Sequence, residues 1–321
     1  MFTDNQDDTS KHSRVCIITG ANSGIGLEAA KQISDKGYEV ILACRSESRG
    51  KKAENDIKDL NPSANVKFMK LDLGSLDSIR HFVDDFHATG KPLHVLCNNA
   101  GLETSGYQQT EDGFEMTLGV NHLGHFLLTH LLLEDLKKTA ERGEDVRIVV
   151  TASEVHNPKS PGGDRGVPAH IDLDNVMVTD PDSYDSWLTY KNSKLANVLF
   201  TYELARRLKD SGITANCLCP GFIPETGLLR DISMMRRFAL YLVLPLLKWK
   251  GVVRTVKDGG ETVAMVATDE KLKGVSGKYY VNTEEKESSK ESYDKEIAIG
   301  FWKISENFVK LDEKYKIPAV M

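Results

Sequence analysis

The chain has 321 residues, 40% hydrophobic and 27% charged, and carries a formal net charge of −6. That length suits one large α/β unit with additions, and 41 basic against 47 acidic side chains argue against a nucleic-acid partner, whose phosphates call for a basic stripe. With 25 glycines, only 10 prolines and no internal repeat, a fibrous, low-complexity or solenoid architecture is excluded.

Residues 1–13 are polar and acidic, lack the apolar stretch of a signal peptide, and are expected to be a flexible tail on a cytoplasmic protein. The run Arg14–Thr19, with Val-Cys-Ile-Ile at its centre, is a continuous apolar stretch of the kind covered on both faces in a parallel sheet. A glycine-rich turn follows, Thr19-Gly20-Ala21-Asn22-Ser23-Gly24-Ile25-Gly26, and opens into a helix over Leu27–Lys36 that Gly37 stops. Small residues let backbone amides approach a pyrophosphate, and the positive end of the helix favours its charge. Gly20, Asn22, Ser23, Gly24, Ile25 and Gly26 are therefore candidate dinucleotide contacts.

Strand Tyr38–Cys44 brings Arg45 and Ser46 to its carboxyl tip. A carboxylate at that tip serves a ribose 2′-hydroxyl, whereas an arginine accommodates a 2′-phosphate. No acid lies between Glu39 and Glu47, so Arg45 predicts NADP(H) in preference to NAD(H). A helix over Ser48–Leu60 leads to strand Val66–Leu71 and to Asp72-Leu73, where Asp72 is placed to accept from an adenine amino group. A helix over Ser75–Ala88 and a strand over Leu93–Cys97 follow. The strand closes in Asn98-Asn99-Ala100-Gly101, and Asn98, Ala100 and Gly101 suit a backbone passing close to a cofactor.

A long helical pattern over Gly113–Lys138 carries Asn121, a modest helix former whose mid-helix position signals a side-chain contact or a water. His122, His125 and His130 are spread around that helix and are read as packing or hydrogen-bonding side chains. Strand Val146–Thr151 delivers Ser153, and the Pro-, Gly- and Asp-rich stretch Asn157–Ser183 is a long loop. Tyr190 and Lys194 follow on one helix, four apart and so one turn apart on one face. The ammonium is expected to pull the phenol's pKa down and make Tyr190 a proton donor and acceptor.

Strand Ile213–Cys219 ends at Pro220-Gly221. The five cysteines, Cys16, Cys44, Cys97, Cys217 and Cys219, predict reduced thiols. Cys217 and Cys219 are expected on opposite faces of their strand, which would make a poor chelating pair, and no metal is expected. A helical segment over Gly227–Lys248 includes the hydrophobic stretch Leu228–Trp249, for which an oligomer contact and a membrane-resting helix are open readings. Its Phe238–Trp249 portion is too short to span a bilayer and contains Pro245, so membrane contact would be peripheral. A helix over Gly260–Ala267, a last strand over Gly277–Val281, a charged helix within Ser292–Leu311 and a tail, 312–321, complete the chain.

Strands alternating with helices predict one Rossmann-type, doubly wound α/β domain over 14–311, a parallel sheet of about seven strands with helices on both faces. Ligands of such a sheet bind beyond the strand carboxyl ends, where nearly every marked residue falls.

On these motifs the chain resembles the classical short-chain dehydrogenases/reductases: the glycine turn Thr19–Gly26, the segment Asn98–Gly101, and the set Asn121, Ser153, Tyr190 and Lys194 occur in that family's order. The resemblance implies that Tyr190 is the general acid or base, Lys194 binds the nicotinamide ribose, Ser153 orients a substrate carbonyl and Asn121 holds a water in a proton relay. It extends the cofactor contacts to Leu73, Pro220, Gly221 and Thr226, places a substrate lid over about 222–250 that includes Leu228–Trp249, and implies a homodimer built on helices near Tyr190. Ala43–Ser46, Asn121–Phe126, Arg147–Val149 with His156, Gly277–Tyr280, and Trp302, Ser305 and Glu306 are similar to the retinol dehydrogenase and protochlorophyllide reductase branch. Pro220–Arg230 is similar to the latter enzyme, but Phe222 stands where it has Cys, Ser153 where it has Thr, and Asp180–Thr189 lacks its Lys-rich insertion. The implied activity is hydride transfer between NADP(H) and a carbonyl or alcohol on an apolar substrate. Light-dependent pigment reduction and a catalytically silent NADP-binding sensor are the alternatives.

Overall fold

Every residue of Val15–Thr19 (β1), Glu39–Cys44 (β2), Val95–Asn98 (β4), Val146–Thr151 (β5), Ile213–Cys219 (β6) and Tyr279–Val281 (β7) is buried, as apolar runs covered on both faces must be. In the computed structural model, which describes residues 13–224 and 253–319, these strands join Val66–Lys70 (β3) and Glu284–Glu285 (β8) in one sheet. The order is β3-β2-β1-β4-β5-β6-β7-β8. Neighbours from β3 to β7 pair in parallel, with Val15 opposite Glu39, Cys16 opposite Val95 and Val146 opposite Ile213. β8 exceeds the predicted count. It folds back antiparallel on β7 through Asn282 and Thr283, both at positive φ (51° and 71°), the conformation of a tight hairpin turn.

Helices cover both faces. On one lie α1 (Gly24–Ser34) and Val256–Thr268, packed together through Ala29, Ala30, Ile33, Val263, Ala264 and Ala267. α2 (Glu47–Leu60) sends Ala53 and Ile57 into the same cluster. The other face is covered by α3 (Leu76–His87), the segment 116–140 and a long helix, Ser186–Arg207, with Lys295–Phe308 outside them. The single helix predicted over Gly113–Lys138 is three pieces: α4 (Met116–Leu118), α5 (Gly124–Leu131) and α6 (Leu133–Ala140). It starts where the Glu115 carboxylate accepts from the Thr117 and Leu118 amides at 2.8 and 2.7 Å. It then widens into a π-turn over Gly119–Leu123, the kind of irregularity that recurs at functional sites, and breaks at Leu132 (φ −91°, ψ 0°). Continuing the numbering, Ser186–Arg207 is α7, Val256–Thr268 is α8 and Lys295–Phe308 is α9.

One further expectation is corrected. Cys217 and Cys219 share one face of β6 and belong to the same core cluster, because alternate residues of a pleated strand point the same way. All five cysteines are buried and free, and burial pushes the Cys217 thiol up to about 12, so neither is a ready thiolate ligand. Within the predicted tail, Ile317 is buried and its carbonyl accepts from Arg207, whose guanidinium lies 4.2 Å from the centre of the Trp302 ring.

His122, His125, His130 and His156 are buried and hydrogen-bonded rather than metal-binding; among the described residues no group of His, Cys, Asp and Glu forms a metal site. Desolvation lowers their pKa values to about 3, 4, 4 and 4, against 6.5 for a free imidazole. Between pH 6.5 and 4 the unfolded chain therefore binds protons that the folded chain refuses. Stability is expected to fall on acidification across that window, each histidine adding a slope of about 1.4 kcal/mol per pH unit. Urea unfolding at pH 7, 6 and 5 measures this; a midpoint that holds steady down to pH 5 would contradict it.

Candidate active site

β1 ends at Thr19, and the chain turns away with Gly20 at φ 69°, a conformation that costs other residues strain. The turn is pressed against the tip of β4. A methyl group on Gly20 would lie 3.0 Å from Ala100 Cα, and one on Gly26 would lie 2.6 Å from both Asn99 Nδ2 and the Gly20 carbonyl. α1 then begins without a side-chain cap at Ser23 and without an acid in its first turn, so its first amides and its positive end are uncompensated. A helix terminus of this kind, with only glycine and small side chains over it, fits the pyrophosphate of a dinucleotide.

Thr19 is a residue the sequence reading passed over. Its Oγ1 accepts from the amides of Asn99 and Ala100, each at 2.9 Å, and lies 2.8 Å from His125 Nε2. His125 Nδ1 faces the Asn121 carbonyl at 3.0 Å and must carry the ring proton, so Nε2 accepts the Thr19 hydrogen. Asn99, also passed over, donates to the Thr19 carbonyl at 3.0 Å. The singled-out Asn98 faces the other way: it is buried and donates to Thr129 Oγ1 at 2.8 Å, so its side chain supports the tip from within the core. Strand alternation was the signal that could have separated the two asparagines.

At the neighbouring tips, the Arg45 side chain is 62% exposed, and its Nε lies 4.0 Å from Asp72 Oδ2. Asp72 Oδ1 accepts from the Gly74 amide at 3.0 Å. Leu73 packs into the core, so only its backbone is available to a ligand.

Ser153 follows β5 in an extended conformation, and its hydroxyl acts on the Tyr190 phenol in the direction of the ionised form. Its carbonyl accepts from His156 Nδ1, whose proton position is fixed because Nε2 accepts from the Ser289 amide at 3.1 Å. Lys194 Nζ lies 5.4 Å from the centre of the Tyr190 ring and donates to the Thr151 carbonyl at 3.4 Å. Asn197 donates to that carbonyl at 3.0 Å. Both Lys194 and Asn121 reach the β4 tip: a methyl group on Gly101 would lie 3.2 Å from Lys194 Nζ and 3.4 Å from Asn121 Oδ1. The Asn121 side chain is committed to protein partners, accepting from the Leu102 amide (2.8 Å) and donating to the Leu102 carbonyl (2.9 Å) and Ser193 Oγ (3.0 Å). Any relay water would therefore have to use its backbone.

The expected electrostatics are reversed. Desolvation raises the Tyr190 pKa, followed by the fields of Cys219 and Glu103, while the Ser153 bond acts downward. Lys194 is lowered to about 8 by burial. The ammonium lies over the ring, and removal of both groups from water is the largest influence on each.

At the end of β6, Gly221 has φ 89° and lies against Arg254 and Asn282. Phe222 bridges Val253 in parallel, and the Arg254 amide donates to the Phe222 carbonyl at 2.9 Å, so the chain leaves the site and returns to it at one point. Thr226 and the segment Leu228–Trp249, with its Phe238–Trp249 portion, lie outside the described residues. Among those described, no helix is long and apolar enough to cross a membrane.

A doubly wound sheet with an uncapped glycine turn and a Ser–Tyr–Lys cluster on one edge defines a class, the dinucleotide-dependent oxidoreductases. A family profile described as short chain dehydrogenase matches residues 14–163. Retinol dehydrogenase 11 of Mus musculus is 40% identical over 293 residues, covering 91% of this chain and 85% of the relative. The chain belongs to the short-chain dehydrogenase/reductase family, in its retinol dehydrogenase-like branch, and is an oxidoreductase of alcohol and carbonyl groups. Among solved structures, a 3-ketoacyl-(acyl-carrier-protein) reductase from Brucella melitensis complexed with NADH superposes with TM-score 0.62 at 21% identity, over 84% of this chain and 95% of that one. Actinorhodin polyketide ketoreductase with NADPH gives 0.62 at 24%, with the same coverage. At such identities these two establish the fold alone.

Gly26→Ala should weaken nicotinamide dinucleotide binding by at least about tenfold, since the added methyl meets the Gly20 carbonyl, which cannot swing aside. Titration of NADPH fluorescence measures this, and unchanged affinity would remove the turn from the binding site.

Proposed function

We propose that the protein transfers hydride between NADP(H) and a carbonyl or alcohol on an apolar substrate, with Tyr190 as general acid or base. The single observation carrying this reading is the meeting of Ser153, Tyr190 and Lys194 beside Gly101, on the edge that holds the glycine turn. The Ser153 hydroxyl donates to the substrate oxygen and orients it beside the Tyr190 phenol. Burial keeps Tyr190 protonated at neutral pH, the state required to protonate an oxygen during reduction. Lys194 binds the ribose side of the cofactor, its ammonium positioned by the Thr151 carbonyl, which also accepts from Asn197. Asn121 holds the Leu102 loop and the π-turn in place. A bound nicotinamide supplies or accepts the hydride; the chain supplies orientation and the proton.

Arg45, exposed at the β2 tip, is the basis for assigning NADP(H), and the Asp72 carboxylate beside it restrains the guanidinium. The apolar substrate class follows from the retinol dehydrogenase relatives and from the hydrophobic composition of Leu228–Trp249. A homodimer is not included: every residue of α5 is buried within the chain, and α7 is buried from Thr189 to Leu204 except at Asn192.

Tyr190→Phe should lower kcat by about 10²–10⁴-fold while leaving NADPH affinity within about twofold, measured by NADPH absorbance with a panel of apolar aldehydes and ketones. Turnover untouched by the change would dismiss the assignment. NADPH binding with no turnover across the panel would favour a cofactor sensor, and product formed only under illumination would favour a photoenzyme. Arg45→Glu should raise KM for NADPH by about tenfold or more and leave that for NADH nearly unchanged. Equal effects on the two cofactors would place the 2′-phosphate elsewhere.

A further inference from the structure

Trp187 lies in the first turn of α7, one turn before Tyr190, and its indole is stacked on the Tyr190 ring. The ring centres are 5.8 Å apart and the planes 26° from parallel, the geometry of an offset aromatic pair. Tyr190 is 5% exposed while Trp187 is half-buried, so the indole shields the phenol ring from water on the side it covers. Trp187 Nε1 is buried without a hydrogen-bond partner, which leaves the ring oriented by apolar contact alone. Those contacts are Tyr190 and the loop that follows Ser153: a methyl group on Gly162 would lie 3.6 Å from Trp187 Cζ2 and 3.5 Å from Val155 Cγ1. The turn that carries the indole is anchored twice. The Asp185 carboxylate accepts from the Trp187 and Leu188 amides at 2.9 and 3.0 Å. The Tyr184 phenol donates to Glu115 Oε1 at 3.0 Å and lies 2.7 Å from Thr104 Oγ1, tying the start of α7 to the start of α4 and to the loop beyond Gly101. We propose that Trp187 is a positioning residue that fixes the plane of the Tyr190 ring and keeps water from its face, so that the Tyr190 proton passes to the substrate oxygen rather than to solvent. The inference rests on the oxidoreductase reading of the same site.

The competing role is packing at the start of α7. Trp187→Ala and Trp187→Phe separate the two roles, because phenylalanine restores an aromatic plane and alanine does not. With an aldehyde that the native chain reduces, Trp187→Ala should lower kcat by about tenfold with KM for NADPH within about twofold, since the phenol is no longer held in line. Trp187→Phe should recover most of that loss. The charged and titratable groups that act on the phenol are Lys194 from the same helix, Cys219 from β6 and Glu103 from the loop after β4, and substitution at 187 leaves all three in place. Burial is the largest influence holding the phenol protonated, and water admitted to the ring relieves it. In the alcohol-oxidising direction, where the phenolate is the base, the rising limb of the Trp187→Ala pH profile should therefore move to lower pH. A kcat and a pH profile unchanged in Trp187→Ala would overturn the proposal. So would equal losses of kcat in both variants accompanied by equal falls in melting temperature, the signature of packing. A crystal structure of Trp187→Ala provides a readout independent of turnover: the Tyr190 ring is expected to tilt from its native plane or to gain an ordered water on the bared face, and a dry ring in its native orientation overturns the proposal. Absence of turnover by the native chain would instead sink the oxidoreductase reading and leave that structural test standing.

Discussion

Where β1 and β4 end side by side, the ladder of backbone hydrogen bonds ends too, and the amides of Asn99 and Ala100 have no strand to donate to. The Thr19 hydroxyl accepts both. A buried amide without a partner is costly, so this one oxygen fixes how closely the two tips approach, and with them the glycine turn and the Asn98–Gly101 segment. Its hydrogen passes to a neutral His125, whose other nitrogen is held by the Asn121 carbonyl in the π-turn. The Asn121 side chain clasps Leu102, immediately after Gly101. The cofactor cradle, the β4 tip and the π-turn are thus one buried polar network in which each member is satisfied by the next, the condition under which such networks stiffen a site.

The same burial governs the charges. Tyr190 and Lys194 are 5% and 3% exposed, and each is pushed toward its neutral form. An ammonium near a phenol is a promising pattern only while both remain in water; inside the fold, desolvation is the larger effect. The result is a phenol that holds its proton until something at the site favours releasing it, and Ser153 is the group that acts in that direction.

The order of strands and helices and the sheet edge that gathers the glycine turn, Tyr190 and Lys194 could be read from the residues, because each leaves a local mark: an apolar run, a glycine turn, a four-residue spacing. What could not be read depends on neighbours distant in sequence. Strand alternation parts Asn98 from Asn99, but that one meets Thr129 and the other Thr19 depends on how those distant residues fold. The π-turn at Gly119–Leu123 has no compositional signature and becomes intelligible only once Leu102 is seen beside Asn121. β8 is two glutamates long, too short for any periodicity to show. The support that Thr19 gives the site arises from contacts between residues far apart in the chain, with Asn99, Ala100 and His125.

The Phe222–Val253 bridge means that whatever lies between those residues begins and ends at a closed gate in the backbone. The closure cost of such a loop grows only slowly with its length, about 0.6 kcal/mol for each doubling. A segment hung from a hinge of this kind can be lengthened, shortened or exchanged for another without the sheet registering the change. The sheet edge that carries residues 153, 190 and 194 is thereby insulated from changes in that loop, and a lineage can vary the one while leaving the other intact.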